Sequence, residues 1–414
     1  MSDRDNLSRD YDITIIGGGM VGISFALLLA QQHRWKIAIL ESQPLQDNVP
    51  AQYSPSFDAR STALSWSSRN ILKKIGVWER IQQQASAIST IHVSDRGHMG
   101  LCRIDADDAG VEALGYVVEN SWLGAVLLDK LASADISLQG AVEIKSISAK
   151  TDAMQITAEV EGNQQLINSK LLVIADGAGS QSSQMLGIQQ HSKAYGHSAI
   201  IANISLQQPH SSVAYERFTD RGPMALLPLS DFENSPRSAL VWTQPAEVAQ
   251  SLMAEDDETF LYALQDRFGD RLGPFTQVGK RAIYPLAMTT SEEQVRRRLV
   301  VVGNAAHSLH PVAGQGFNLS LRDVAVLADC LASGSKDVDI GALGPLQQYQ
   351  QQRATDQRNT LLFTDNLSKL FGLNSPLVAL GRNSGLLLMD LVPTLRKQFA
   401  HFGMGSIPSE GNYG

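Results

Sequence analysis

Cysteine is nearly absent from this chain: there are two in 414 residues, Cys102 and Cys330. Two thiols cannot build a disulfide scaffold or a cysteine-rich metal site, and they read as buried or inert thiols in a reducing compartment. A basic surplus is also missing. Lys and Arg number 34 against 42 Asp and Glu, a formal net charge of −8, so no general affinity for nucleic acid is expected. No stretch reaches the roughly 18 uninterrupted apolar residues of a membrane-spanning helix. The opening Met1-Ser2-Asp3-Arg4-Asp5 carries charges of both signs with no apolar segment or cleavage site behind it, unlike an export signal. A cytoplasmic protein is expected. His33 and His197 have no His, Cys or Asp cluster at ligand spacing, so no metal is expected. There is no internal repeat.

What is present is a large apolar fraction. Hydrophobic residues make up 43% and charged residues 18%, enough to form a sizeable core and to exclude a mainly disordered chain. At about 150 residues per domain, the length suggests two or three domains.

Residues 11–41 read as strand, helix, strand: apolar 11–16, good helix formers over 20–32, apolar 35–40 ending at Glu41. The 42–58 segment, with Pro44, Pro50 and Pro55, reads as a loop. Apolar spacing at Ile71, Leu72, Ile75, Trp78 and Ile81 predicts one helix over 69–84. Met154, Ile156, Ala158 and Val160 alternate with polar residues, and Gly162-Asn163 is the expected turn of an antiparallel meander that returns through 171–175. Strand-like 224–229 and 239–243, around a Gly222-Pro223 turn, suggest a second sheet. A helical stretch follows near 250–268, then a strand at 299–302 and a helix from about Gly316. From Pro345 onward the chain reads as mostly helical, with a break near 372–376.

Gly17-Gly18-Gly19-Met20-Val21-Gly22 matches G-x-G-x-x-G between that first strand and helix. Gly17 permits the tight turn, Gly19 lets a pyrophosphate approach the backbone, and Gly22 lets the helix pack on the sheet. The helix start offers N–H donors and the positive end of its dipole to phosphates. Glu41 falls at the spacing of the acid that binds an adenosine ribose, which assigns it to the cofactor rather than to the fold. Late in the chain a strand opens into Gly303-Asn304-Ala305-Ala306-His307-Ser308-Leu309-His310-Pro311, then Gly314-Gln315-Gly316-Phe317-Asn318 starts a helix. Such a helix start favours developing negative charge.

These two motifs, with Ala175-Asp176-Gly177-Ala178-Gly179-Ser180 between them, resemble in order the three motifs of the FAD-dependent aromatic hydroxylases with the para-hydroxybenzoate hydroxylase fold. Within that family, Phe57-Asp58-Ala59-Arg60-Ser61-Thr62-Ala63-Leu64 and His310-Pro311-Val312-Ala313-Gly314-Gln315-Gly316-Phe317-Asn318-Leu319 are similar to the ubiquinone-biosynthesis hydroxylases. Gly303-Asn304, where the family usually has Gly-Asp, is similar to the 2-octaprenyl-6-methoxyphenol hydroxylases among them.

The resemblance implies an α/β fold, α+β overall: a Rossmann-like FAD-binding domain, an inserted antiparallel-sheet substrate domain and a helical C-terminal region. The FAD-binding parts are expected at 10–100, at 101–190 with the meander, and at 291–340. The substrate sheet is expected at 191–290 and the helical region at 341–414. It implies bound FAD, NAD(P)H as a transient co-substrate, and hydroxylation of a prenylated phenol with O2. Gly17, Gly19, Gly22 and Glu41 would hold the ADP half of FAD. Arg60 would reach the pyrophosphate or the ring edge, Asp176 and Gly177 would contact FAD and NAD(P)H, and Asn304 would hold the ribityl chain. Pro311 and the backbone of Gly314, Gln315, Gly316, Phe317 and Asn318 would line the flavin ring.

Other readings stay open. His310 is either a catalytic neighbour of the flavin or a packed loop histidine, and His307 is a weaker case of the same choice. Arg60 could be an ion-pair partner and Asp176 a turn residue. The apolar, then basic, 386–402 tail suits a membrane surface, a quinone-biosynthesis partner or its own domain. A flavin oxidase or reductase of the same fold, or a flavin-bearing scaffold, remains an alternative function. A nicotinamide-dependent dehydrogenase leaves the late loop unexplained.

Overall fold

The computed structural model describes residues 8–32, 34–45, 60–97, 100–309, 315–334, 339–372 and 403–405. His33, Pro50, Pro55, Phe57 to Ala59, His310, Pro311, Gly314 and the 386–402 tail lie outside them.

The first sheet is built on adjacent parallel strands in the order Leu299–Val301, Asn163–Ile174, Ser8–Ile16, Ile37–Leu40 and Ile136–Gln139. Val295–Arg296 adds an antiparallel edge. These strands are apolar on both sides because both faces are covered. Ile13, Ile15, Ile39, Leu171, Val173 and Val300 pack under helices, among them Met20–Ala30 and Gln315–Ala332. Ile16, Leu40, Leu172, Ile174 and Val301 pack under the meander. In Met154–Val160 the alternation puts Met154, Ile156 and Ala158 into that second layer.

Two local expectations are corrected. The meander turn lies one residue earlier than expected, at Glu161-Gly162, both at positive φ, with Val160 paired to Asn163. A two-residue hairpin needs left-handed backbone at both central positions. The 69–84 helix is instead Trp66–Ile75 followed by Trp78–Ile81 and a 3-10 turn, Gln82–Gln84. Gly76, at φ 81°, ends the first helix by donating its N–H to Leu72 and Lys73, a left-handed cap that glycine adopts at low cost.

The second, nine-stranded sheet runs His307–Ser308, Ala282–Ser291, Gln190–Leu206, Ser235–Pro245, Gly222–Phe232, Val213–Thr219, Thr90–Asp95 and Leu101–Asp105, with Phe275–Val278 beside Gln190–Leu206. Gly222-Pro223 opens a strand rather than forming the turn. Thr219 pairs with Gly222, so the reversal is at Asp220-Arg221. One face of this sheet, including Ile200, Met224, Leu226, Leu240 and Trp242, is sealed by Ala249, Phe260 and Leu264 of the helices Ala246–Ala254 and Asp257–Phe268. A three-stranded sheet joins Ser61–Ser65, Gly115–Glu119 and Ser86–Ile88. Helix Leu343–Gly372 follows the late motif. Among the described residues no helix is long and apolar enough to cross a membrane.

Candidate active site

The three glycine motifs leave the carboxyl ends of three adjacent parallel strands, Ser8–Ile16, Asn163–Ile174 and Leu299–Val301. Ligands of open α/β sheets bind at that edge. Crossing hydrogen bonds lock the ends together: Ala175 N–H donates to Ile16 O at 2.8 Å and Val302 N–H to Ile174 O at 2.9 Å.

Gly17 has φ +112°, and a Cβ there would lie 2.3 Å from Ala175 O. Backbone conformation and the pressing mid-chain motif both demand glycine. A Cβ on Gly22 would meet Gly17 O at 2.1 Å, so this glycine lets the helix close onto the turn. Helix Met20–Ala30 begins after Gly19 with no side-chain cap and no acid in its first turn, leaving N–H donors for an anion. Gly303, at φ +66°, comes against Val21, whose Cγ1 would be 3.3 Å from an added Cβ. Asn304, next to it, is exposed within the 3-10 turn Gly303–Ala305.

Glu41 is buried, and its carboxylate already has partners. Oε2 accepts the Gly18 N–H at 2.6 Å, and Oε1 accepts the Gln43 N–H at 2.9 Å and the Ser42 hydroxyl at 3.1 Å. It therefore serves the fold as well as any ligand, which corrects the assignment to the cofactor alone. Asp176 is divided. Oδ2 accepts the Ser182 N–H at 3.2 Å, whereas Oδ1 is buried with no hydrogen-bond partner among the described residues. Next to it Gly177, at φ +91°, faces open space. The Arg60 guanidinium stacks 4.7 Å from the Tyr284 ring of the second sheet. An orphaned acceptor, an uncapped helix start and glycines forced by crowding make a cradle that suits the pyrophosphate and ribose of a dinucleotide such as FAD.

Helix Gln315–Ala332 carries the end of the late motif. Gln315 and Asn318 are buried, Gly316 and Phe317 half-buried. The Asn318 side chain is a clamp: Oδ1 accepts the Ser65 N–H at 2.9 Å and the Ser68 hydroxyl at 2.7 Å, and Nδ2 donates to Ala63 O at 2.8 Å. It fixes this helix against Ser61–Ser65.

Sequence reasoning missed a buried ionic chain behind that helix. His307 Nε2 lies 2.6 Å from Asp323 Oδ2, and Asp323 Oδ1 accepts from Arg353 Nε at 2.6 Å. Gln357 donates to Asp323 at 2.9 Å. Arg353 also pairs with Asp356, which Arg322 Nε meets at 2.8 Å. Burial alone would raise the Asp323 pKa, but Arg353 and His307 outweigh it and bring it down to about 2. His307 Nδ1 is buried with no hydrogen-bond partner among the described residues. The only hint in the sequence is an acid among the apolar positions of a helix, Leu321, Asp323, Val324. Among the described residues no group of His, Cys, Asp and Glu could hold a metal.

The second sheet's other face carries Ile201, Val241, Ala225 and Leu227, all half-buried. Tyr284, which lies under Arg60, shares that face through its pairing with Ala199. This apolar face is not fully covered, and Tyr284 ties it to Arg60, next to the strand Ser61–Ser65.

Residues 10–361 match the FAD binding domain family. The chain is 33% identical to the ubiquinone hydroxylase UbiL of Rhodospirillum rubrum, over 96% of this chain and 90% of that protein. It is 31% identical to the 3-demethoxyubiquinol 3-hydroxylase of Escherichia coli K12, over 96% and 99%. The structure of p-nitrophenol 4-monooxygenase PnpA from Pseudomonas putida DLL-E4 superposes with a TM-score of 0.72 at 16% identity, covering 96% of this chain and 99% of that one, so the fold is shared. With the three motifs on one strand edge and these matches across nearly the whole length, the chain belongs to the FAD-dependent monooxygenase family that includes the ubiquinone-biosynthesis hydroxylases.

Proposed function

We propose that this enzyme hydroxylates the ring of a prenylated phenol in ubiquinone biosynthesis, using O2 and NAD(P)H, and that 2-octaprenyl-6-methoxyphenol is its substrate. The observation that carries the ring substrate is the half-buried apolar sheet face beside Tyr284 and Arg60. An apolar wall at a polar cofactor edge suits an aromatic ring with a hydrocarbon tail. The Gly303-Asn304 pair supports the methoxyphenol.

FAD, when bound, supplies the redox chemistry, taking reducing equivalents from NAD(P)H and activating O2. The chain supplies position. Gly17, Gly19 and Gly22 let the Met20 helix start approach the pyrophosphate, and Glu41 takes the ribose. Asp176, whose Oδ1 has no partner among the described residues, and Gly177 would take a cofactor hydroxyl or N–H, and Asn304 would take the ribityl chain. Arg60 closes the edge against Tyr284. By the family resemblance Pro311 and the backbone from Gly314 to Asn318 would line the ring, where a helix start such as that at Gln315 favours developing negative charge. The composition of the 386–402 tail suits a membrane surface or a quinone-biosynthesis partner, as a lipid-soluble substrate would require.

The test uses the FAD-loaded protein, NAD(P)H, labelled O2 and a set of prenylphenols. One labelled oxygen atom in the ring, with NAD(P)H, O2 and product near one to one to one, is expected. Label recovered only in peroxide or water across the set would replace this reading with an oxidase or a scaffold.

A further inference from the structure

Strand register sets out rows of side chains across the nine-stranded sheet, because paired residues share a face. One row on this face runs from the half-buried Ile201, Val241, Ala225 and Glu216 to the buried Val93 and Cys102. Five of the six positions hold apolar side chains or a buried thiol, and the fourth holds a carboxylate. The next same-face residues on its own strand, Ala214 and Phe218, are buried in an apolar cluster. Glu216 is half-buried and makes no side-chain hydrogen bond or ion pair with any described residue. An acid without a partner on an apolar wall is costly to keep, and such groups concentrate where chemistry needs them.

Burial raises the Glu216 carboxyl to about pKa 7, and burial is the whole cause. The charged groups around it do not contribute. Asp95 shares the face one step along the neighbouring strand, and the Arg237–Glu119 pair lies toward the other end of the sheet. Arg60 lies over Tyr284, and helix Leu343–Gly372, packed on Gly222–Phe232, carries Arg353, Asp356 and Asp365. Arg217 and His92 point to the opposite face.

We propose that Glu216 is the acid–base group of the substrate chamber, accepting the proton of the phenol hydroxyl as the ring is oxygenated. The phenol O–H bond breaks as a carboxyl O–H bond forms on Glu216. The electron pair stays on the phenolate oxygen and enriches the ring carbon that takes up oxygen. The proton leaves Glu216 for water after product release. This rests on the phenol reading above.

The FAD-loaded parent is assayed for ring hydroxylation of 2-prenylphenol between pH 5 and 9, beside Glu216→Gln. The reactive form is the carboxylate, so kcat/KM in the parent rises with pH and levels off above about 7. The Gln variant loses that limb and about 10²–10⁴-fold in rate, with FAD content retained. A ring-fluorinated 2-prenylphenol, already ionised at the assay pH, restores most of the variant's rate, which a structural defect would not allow. An unchanged pH profile in the variant, or equal losses on both phenols, overturns the role of Glu216 while leaving the hydroxylase intact. A parent that puts no oxygen into either ring overturns the reading beneath it, and this proposal with it.

Discussion

Glu41 is the residue at which sequence spacing and structure meet. Its position at the end of the second parallel strand, 19 residues after Gly22, is legible from the chain alone. That its Oε2 receives the Gly18 N–H is not, because the loop backbone decides which N–H faces the acid. A carboxylate offers about four lone-pair directions, so one ribose hydroxyl can join the three donors already present. Glu41→Ala therefore has two effects. FAD affinity falls by about 1.5–3 kcal/mol, and the apoprotein loses about 1–3 kcal/mol because a buried N–H is left without a partner. Flavin titration and thermal melts of the apoprotein read the two separately, and an unchanged apoprotein melt would return Glu41 to the cofactor alone. Asn304 and Asp176 follow the same logic: residue type and order were legible, but Asn304's exposure and Asp176's orphaned Oδ1 depend on how neighbouring loops pack.

At the scale of elements, the late helix shows what periodicity misses. A helix beginning near Gly316 is readable from its glycines and apolar spacing, and Gln315–Ala332 bears this out. Its anchoring is not readable, because Asp323 finds Arg353 thirty residues later, on a different helix. The pair carries a pH signature. Asp323 sits near pKa 2 folded and about 3.9 unfolded, so its folded value is depressed. Its contribution to stability is complete above about pH 4 and is lost as pH falls through about 2. Asp323→Asn should cost about 3–5 kcal/mol at neutral pH by leaving buried cations under-compensated, and should flatten the fall in stability between about pH 4 and 2. Urea midpoints over that range check both, and a variant that keeps the parent's acid slope would exclude Asp323 as its source. The single helix expected over 69–84 failed for a smaller reason: apolar spacing continues through Gly76, but the left-handed cap at that glycine does not allow the helix to.

For the molecule as a whole, two features matter: a strand edge that carries three motifs, and a second sheet with one half-buried apolar face. The helices Ala246–Ala254 and Asp257–Phe268 seal the wall's outer face, and the half-buried row through Ile201, Val241 and Ala225 is the face proposed for the ligand. Ala225→Trp puts an indole into that space without touching the motif edge. FAD content should hold, while kcat/KM for prenylphenol hydroxylation falls on the order of 10–200-fold, the range expected from pocket shape, and peroxide release rises. Flavin absorbance and product analysis check this, and hydroxylation at the parent's rate would move the ring site away from this wall.

By itself the sequence determined the dinucleotide turn, the strand–helix–strand unit that carries it, the meander and the order of three motifs. Each of these is local: a glycine spacing, an unbroken apolar run or a period of two. Tertiary structure decided everything that joins distant segments. It set the three motifs on adjacent strand ends, with Ala175 pressed on Gly17 and Val21 on Gly303. It drew Thr90–Asp95 and Leu101–Asp105 into the second sheet beside Val213–Thr219, and so left Glu216 in an apolar row. Ala225 reaches Glu216 through a local hairpin, but Val93 and Cys102 lie more than a hundred positions earlier in the chain, and only the hydrogen-bond register between strands brings them beside it.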